Sequence, residues 1–131
     1  MSAGYPQGAT RAPALVIVED EPDVLVILHR LLRDLTGGYD IVPTVNGLDA
    51  LAHIAMRPVP LVITDYKMPG MDGLQLTQAI KEQSQDTKVV LTTAFVSPEL
   101  EAAARKSGAD YFLPKPYSLD RLEGIIRDVL R

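Results

Sequence analysis

The sequence contains no cysteine and only two histidines, His29 and His53. These absences exclude disulfide bonds, thiol catalysis and the common structural zinc sites, which require Cys or several His ligands. With 13 basic and 17 acidic residues the chain carries a net charge of −4, and its basic residues form no extended run. We therefore expect no nucleic acid and no membrane as partner, and a small charged ligand or another protein is favoured.

Long hydrophobic runs are absent as well. Ala14–Val18 is among the longest runs, whereas a membrane-spanning helix needs about 18 to 20 apolar residues. At 131 residues, of which 47% are hydrophobic, the chain fits one domain with its own core. Residues 1–13 are rich in Gly, Pro and small side chains and lack the apolar core of a signal peptide. This composition predicts a disordered tail at residues 1–13 and a folded domain at residues 14–131 of a cytoplasmic protein.

Short β-branched runs alternate with longer segments of helical periodicity, which is typical of βαβ units. Pro43 predicts that the second strand lies at an edge of the sheet. In the first helix, Val24, Leu28, Leu31 and Leu35 recur at helical spacing and predict its buried stripe. The five predicted strands are Ala14–Val18, Ile41–Val45, Leu61–Thr64, Lys88–Thr92 and Tyr111–Leu113.

Residues that favour helix ends bracket the predicted helices. Pro22 suits the first turn of the first helix, and Gly37 suits its end. The other four helices follow Asn46, Asp72, Ser97 and Ser118. Five strands alternating with five helices predict a doubly wound α/β fold, a parallel sheet with helices on both faces. Ligands bind such sheets beyond the carboxyl ends of the strands.

Polar residues cluster where the predicted strands end. Glu19–Glu21 follows the first strand and Asp65 the third, so several carboxylates would repel one another unless a cation lay between them. Such hard oxygen ligands suit Mg²⁺. Thr93 and Lys115, after the fourth and fifth strands, add a hydroxyl and an ammonium that suit a phosphate. Taken singly, the acidic residues after the first strand would suit helix caps, but the combination indicates phosphoryl chemistry with a carboxylate nucleophile.

Four segments in this order resemble the receiver domain of two-component response regulators, the CheY-like family. They are Val16–Pro22, Thr64–Gly73, Leu91–Ala94 and Gly108–Tyr117. The resemblance covers the chain from about Ala14 onward. It implies a flavodoxin-like fold with five helices around a five-stranded parallel sheet in the order 2-1-3-4-5.

The resemblance also implies roles for individual residues. Asp65 would be the phospho-acceptor. Mg²⁺ would be bound by Asp20, by Asp65, by the backbone carbonyl of Lys67 and, through water, by Glu19. Glu19 stands where Asp is commoner in the family, which leaves the expected chemistry intact.

Further positions follow from the same resemblance. Thr93 and Lys115 would hold the phosphoryl oxygens, and the Lys115–Pro116 peptide bond would be cis. Thr93 and Phe112 would form the conformational switch, Phe112 being at the family's switch-aromatic position. Tyr117 stands where Phe is usual.

The implied function is a phosphorylation-activated signalling switch. It would accept a phosphoryl group from a phosphohistidine of a sensor histidine kinase or phosphotransfer protein, and would catalyse only its own phosphorylation and dephosphorylation. Its output would be a downstream protein or a homodimer bound through the fourth helix, fifth strand and fifth helix. The alternatives are an aspartyl-nucleophile phosphohydrolase, a flavin carrier of similar architecture, and a receiver that acts as a scaffold without phosphorylation.

Two side chains are expected to overhang the phosphorylation site. In the family these positions lie two residues after the acceptor and two after the conserved hydroxyl, which here are Lys67 and Phe95. Together they would hinder the approach of water to the phosphoryl group. The alternative is that Phe95 turns away and packs against the fourth helix.

Overall fold

The computed structural model describes residues 13–37 and 39–130 as five strands alternating with five helices. The predicted tail, except for Pro13, lies outside the described residues. The strands are β1 (Ala14–Val18), β2 (Asp40–Thr44), β3 (Leu61–Asp65), β4 (Lys88–Thr93) and β5 (Tyr111–Pro114). The helices are α1 (Pro22–Thr36), α2 (Gly47–Met56), α3 (Gly73–Gln83), α4 (Pro98–Ser107) and α5 (Leu119–Leu130). Within these ranges every helix falls short of the length and hydrophobicity that a membrane span requires.

All four strand pairings are parallel, and the sheet order is β2-β1-β3-β4-β5, which confirms the predicted order. Strand β2 is at an edge, as Pro43 predicted. It runs over Asp40–Thr44 rather than Ile41–Val45, because Asp40 pairs with Ala14 while Val45 is exposed beyond the last pair. The connections that leave β1 and β3 run in opposite directions, so the crevice of this fold lies beyond the carboxyl ends of these two adjacent strands.

Side chains of β1 alternate between two apolar layers, which explains why this strand is apolar throughout. Leu15 and Ile17 pack into one layer with residues of α1 and α5. Val16 and Val18 pack into the other with residues of α2 and α3. Burial of each such side chain stabilises the fold by about 1.5–3 kcal/mol, so the central strands hold the sheet in place.

The helix ends agree with the predicted capping residues. Gly37 adopts the left-handed conformation, with φ 71°, directly after α1. The Asn46 side chain accepts a hydrogen bond from the backbone N–H of Asp49 at 2.9 Å. Asp72 forms a capping box with Gln75 at the start of α3. Because Asp72 caps α3, Asp65 at the end of β3 is not needed as a cap.

Two of the four residues predicted to form the buried stripe of α1 pack into the core, and the other two do not. Leu28 and Leu32 are the fully buried residues, and Leu35 packs beside them. Val24 and Leu31 instead line an open apolar groove of about 510 Å³ between α1 and the start of α5. A helix advances about 100° per residue, so a stripe shifted by one position faces the groove rather than the sheet.

Gly73 brings the start of α3 against the end of β3. A Cβ atom at this position would lie 2.5 Å from the Asp65 carbonyl oxygen and 2.6 Å from Leu91. The Gly73 N–H also donates a 2.8 Å hydrogen bond to the carbonyl of Tyr66. This close approach closes the loop of residues 66–72 beside Asp65.

Candidate functional site

A polar pocket of about 280 Å³ lies in the crevice at the carboxyl ends of the strands. Residues from the loops after β1, β3, β4 and β5 meet in it. Its lining residues are Asp20, Glu21, Asp65, Lys67, Thr93, Ala94, Phe95 and Lys115. The fold therefore brings together five of the seven predicted site residues at the pocket wall, and Glu19 contacts Lys115 directly behind it.

The Lys115 ammonium joins two buried carboxylates. It donates to Glu19 Oε1 at 2.9 Å and to Asp65 Oδ2 at 3.1 Å. Glu19 is 1% exposed and Asp65 7% exposed. The Lys115 backbone N–H donates to the carbonyl of Thr93 at 2.8 Å, and the Lys115–Pro116 bond is cis, as the family resemblance implied.

The electrostatics of this group follow from burial. Burial raises the pKa of Glu19, and the nearby Asp65 charge raises it further, while the bond to Lys115 lowers it. Burial alone would lower the pKa of Lys115, but its hydrogen bonds to Glu19 and Asp65 raise it above the ordinary value. Lys115 is therefore a permanent cation, and its single positive charge faces two carboxylates.

A group of three carboxylates could hold a metal ion. Oxygen atoms of Glu19, Glu21 and Asp65 all lie within 4.8 Å of one another. Hard oxygen donors with an excess of negative charge fit a divalent cation. Glu21 is the N-cap residue of α1 but makes no capping bond with its side chain, so its carboxylate is not used by the helix.

The direct ligand predicted from the sequence in this segment is Asp20, and Glu21 is not among the predicted ligands. Asp20 lines the same pocket but is outside the group of three. The backbone at Glu21 is extended, with φ −92° and ψ 114°. The chain bends at Asp20, and the Glu21 backbone N–H donates a 3.3 Å hydrogen bond to Glu19 Oε2, which holds the Glu19 carboxylate beside Glu21. The predicted ligands Asp20 and the Lys67 carbonyl, and the water-mediated role of Glu19, stay predictions.

Thr93 is oriented by the loop that follows it. Its Oγ1 accepts a 3.0 Å hydrogen bond from the backbone N–H of Phe95, and its side chain is almost fully buried. The hydroxyl proton makes no hydrogen bond to any described residue. Thr93 can therefore donate that proton to an anion in the pocket.

Lys67 and Phe95 contact each other over the pocket. The Lys67 ammonium lies 5.1 Å from the centre of the Phe95 ring, within the range of a cation–π interaction. Phe95 is 68% exposed, so it is not packed away against α4. The arrangement expected from the sequence, with both side chains at the mouth of the site, is the one present.

The aromatic residues of β5 and its loop lie beside the pocket rather than in it. Phe112 is half-buried on β5, in register with Leu91 of β4, and its carbonyl accepts a 2.9 Å hydrogen bond from Arg121. Tyr117 places its hydroxyl in the interior, where no described residue accepts or donates a hydrogen bond to it. His29 and His53 are half-buried on α1 and α2 and do not line the pocket.

The chain is similar in sequence and in structure to known proteins. Residues 15–127 match the model of the response regulator receiver domain family. The sensor histidine kinase GacS of Pseudomonas protegens is 34% identical over 123 residues, which is 90% of this chain and 13% of that protein. The transcriptional regulatory protein PrrA of Mycobacterium bovis is 30% identical over 120 residues, or 92% of this chain and 51% of that protein.

A solved structure is also similar over nearly the whole domain. The signal receiver domain of an HD domain-containing protein from Pseudomonas fluorescens has a TM-score of 0.83 and 30% identity, over 92% of this chain and 95% of that chain. The chain spans about half the length of the curated relative PrrA and 13% of the length of GacS.

We predict that Glu19→Gln raises the thermal stability of the metal-free protein at pH 7. Because the pKa of Glu19 is raised, the folded protein binds this proton more tightly than the unfolded chain does. At pH values above 4.5, the pKa of Glu19 in the unfolded chain, ionisation of the buried carboxylate therefore lowers the free energy of unfolding. The melting temperature should rise by about 2–5 °C, and the gain should shrink as pH falls through the folded pKa.

Thermal unfolding in EDTA at pH 7 and pH 5 measures this difference. The control is Glu21→Gln, which removes an exposed carboxylate of the same group and should change stability little. A lower melting temperature of Glu19→Gln at pH 7 would show that the bond to Lys115 outweighs the cost of burial.

Proposed function

The chain belongs to the response regulator receiver domain family, whose members are phosphorylation-dependent signalling switches, and we propose that Asp65 is its phospho-acceptor. The observation that carries this proposal is the position of Asp65. Its carboxylate lies in a polar pocket at the carboxyl end of β3. It accepts a 3.1 Å hydrogen bond from the Lys115 ammonium, which also contacts Glu19. Phosphorylation of Asp65 would therefore directly change a carboxylate to which the Lys115 ammonium donates a hydrogen bond.

The proposed step transfers a phosphoryl group from a phosphohistidine. An Asp65 carboxylate oxygen attacks phosphorus while the P–N bond breaks, and the bond's electrons stay on the imidazole nitrogen. Thr93 and Lys115 donate hydrogen bonds to the phosphoryl oxygens. Asp65 with Asp20, the Lys67 carbonyl and, through water, Glu19 would hold Mg²⁺, and Glu21 is placed to join them. When bound, the ion supplies positive charge to the transferring group.

The donor is proposed to be a sensor histidine kinase or a phosphotransfer protein. Relatives that include a sensor histidine kinase and a transcriptional regulatory protein support a place in such signalling. The protein would then catalyse only its own phosphorylation and dephosphorylation. Two alternatives are less well supported. A phosphohydrolase with Asp-x-Asp after its first strand would not have its acceptor after β3, and a scaffold would not need a hydroxyl and an ammonium beside the acceptor.

We predict that acetyl phosphate transfers one phosphoryl group to the wild type only in the presence of Mg²⁺, and that Asp65→Asn prevents the transfer. The amide cannot act as the nucleophile, and without the cation an anionic donor is repelled by the carboxylates. Intact-mass measurement detects the product. Asp86→Asn, at the far end of the sheet, is the control and should be phosphorylated like the wild type. Equal incorporation into Asp65→Asn would contradict the assignment.

We further propose that Thr93 and Phe112 transmit phosphorylation to the surface formed by α4, β5 and α5. Movement of the Thr93 hydroxyl toward a phosphoryl oxygen would break its bond from the Phe95 N–H and vacate space into which the Phe112 ring can turn. Since Phe has no hydroxyl to desolvate, its inward state depends on packing alone. The remodelled surface would bind a downstream protein or a second copy.

Beryllofluoride, which mimics an aspartyl phosphate, is expected to shift amide NMR signals across α4, β5 and α5 in the wild type. Thr93→Val keeps the side-chain shape but removes the hydroxyl, so it should bind beryllofluoride more weakly, and saturating beryllofluoride should not shift that surface. Two-dimensional spectra with and without beryllofluoride and Mg²⁺ measure both effects. Unchanged signals on this surface in the wild type would contradict the proposed switch.

The contact of Lys67 with Phe95 supports a proposal about the lifetime of the phosphorylated state. Hydrolysis requires water to approach phosphorus in line with the Asp65 oxygen. At the mouth of the pocket, the apolar Phe95 ring cannot orient water, and the long Lys67 side chain can lay its ammonium against a phosphoryl oxygen, so together they would hinder that approach.

We predict that a Lys67→Asn, Phe95→Glu double variant loses its phosphoryl group roughly tenfold faster than the wild type, which corresponds to about 1.4 kcal/mol of barrier. Dephosphorylation is followed after removal of the donor in excess Mg²⁺. The control is Val96→Glu, which adds one negative charge, as Phe95→Glu does, at an exposed neighbour outside the pocket lining. An equal or slower rate in the double variant would show that the two side chains do not hinder water.

A further inference from the structure

The exposed side of α2 is apolar, and the proposed chemistry does not use it. The buried side of this helix packs against β1, β2 and α3. Its exposed residues are Leu48, Asp49, Ala52, Ala55 and Met56, of which only Asp49 is polar. By contrast, the exposed residues of the neighbouring α3 are all polar, namely Gln75, Gln78, Glu82 and Gln83. The apolar character is therefore a property of α2 and is not shared by the helix beside it.

Val45, just before the N-cap residue of α2, extends this apolar side. Val45 is 52% exposed, Leu48 71% and Met56 59%. We call the apolar residues together the α2 surface: Val45, Leu48, Ala52, Ala55 and Met56. They present roughly 400 Å² of accessible surface, which is the size of the largest apolar patch on a typical monomer, and such patches are often binding sites.

The order of side-chain sizes along α2 suits a second copy of the same helix. Leu48 lies four residues before Ala52 and Met56 four residues after it, so a small side chain stands between two large ones on one face. In a two-fold contact the same patch of both copies meets itself. With the helices antiparallel about Ala52, Leu48 of one copy would contact Met56 of the other. The two small Ala52 side chains would let the helices approach closely at the axis.

We propose that the α2 surface binds a second copy of this chain through two-fold, antiparallel pairing of the α2 helices. Antiparallel helices also place their dipoles favourably. The α2 surfaces of two copies would bury about 800 Å² in total, less than the roughly 1,200–2,000 Å² of stable complexes, so the dimer is weak, with a dissociation constant on the order of 0.1 mM. The pairing uses neither the pocket nor the surface of α4, β5 and α5, and it does not depend on phosphorylation.

Analytical ultracentrifugation of the unphosphorylated protein, from roughly 10 µM to 1 mM, measures this association. The wild type should dimerise as its concentration rises. Ala52→Glu should associate at least tenfold more weakly, because two carboxylates would meet at the axis. The matched control is Ala102→Glu, at an exposed alanine of α4, which should associate like the wild type. A wild type that stays monomeric, or equal association of Ala52→Glu, would overturn the proposal and leave the α2 surface to a different protein.

Cross-linking locates the axis, because the chain has no cysteine of its own. A two-fold axis at position 52 places the two sulfur atoms of Ala52→Cys opposite each other. Under mild oxidation this variant should form a covalent dimer at least tenfold faster than Ala102→Cys at the same concentration. Equal rates for the two variants would overturn the proposal.

A charge pair tests the antiparallel direction. Leu48→Glu alone should weaken the dimer at least tenfold, since it places a carboxylate against an apolar side chain. Adding Met56→Lys should restore association, because each Glu would then face a Lys of the other copy. If the double variant associates no better than Leu48→Glu, the antiparallel pairing is wrong and the proposal fails.

Discussion

The ammonium of Lys115, shared between Glu19 and Asp65, is the interaction on which the site depends. Glu19 and Lys115 are 96 residues apart in the chain, and only the parallel sheet brings their strand ends together. Each carboxylate is almost fully buried, so neither would be tolerated without a cation nearby. The pocket is thus held together by one positive charge that two negative charges share.

Because one ammonium faces two carboxylates, the site carries an excess of negative charge, and this excess favours the binding of a cation. Glu21 adds a third carboxylate within 4.8 Å of the other two, which increases the excess of negative charge. In the function proposed above, a divalent cation would relieve the repulsion, and Lys115 and the Thr93 hydroxyl would donate to the incoming phosphoryl group. Because Lys115 contacts both Glu19 and Asp65, a change at Asp65 would also alter the surroundings of Glu19.

The parts of the fold around the site differ in burial: the central strands are buried, whereas Phe95 in the loop after β4 is exposed. The central strands β1 and β3 are buried on both faces, and Gly73 fixes the start of α3 against the end of β3. By contrast, Phe95 is largely exposed, and the Lys67 ammonium lies 5.1 Å from the centre of its ring. The position of Asp65 is therefore set by the packed sheet, whereas access to its carboxylate depends on surface side chains.

The order of elements, the edge position of β2 and the residues gathered at the strand ends could all be predicted from the sequence, because they depend on local periodicity, capping residues and strand-end motifs. Three features could not. The face of α1 that meets the sheet shifted from Leu31 to Leu32, since a one-residue rotation is decided by packing. Glu21 rather than Asp20 joined Glu19 because the folded chain bends at Asp20 and the Glu21 N–H bonds the Glu19 carboxylate, a local geometry that the sequence does not specify. The unpaired hydroxyl of Tyr117 emerged only from tertiary structure, because a hydrogen bond is defined by distance and angle between groups that the sequence does not place.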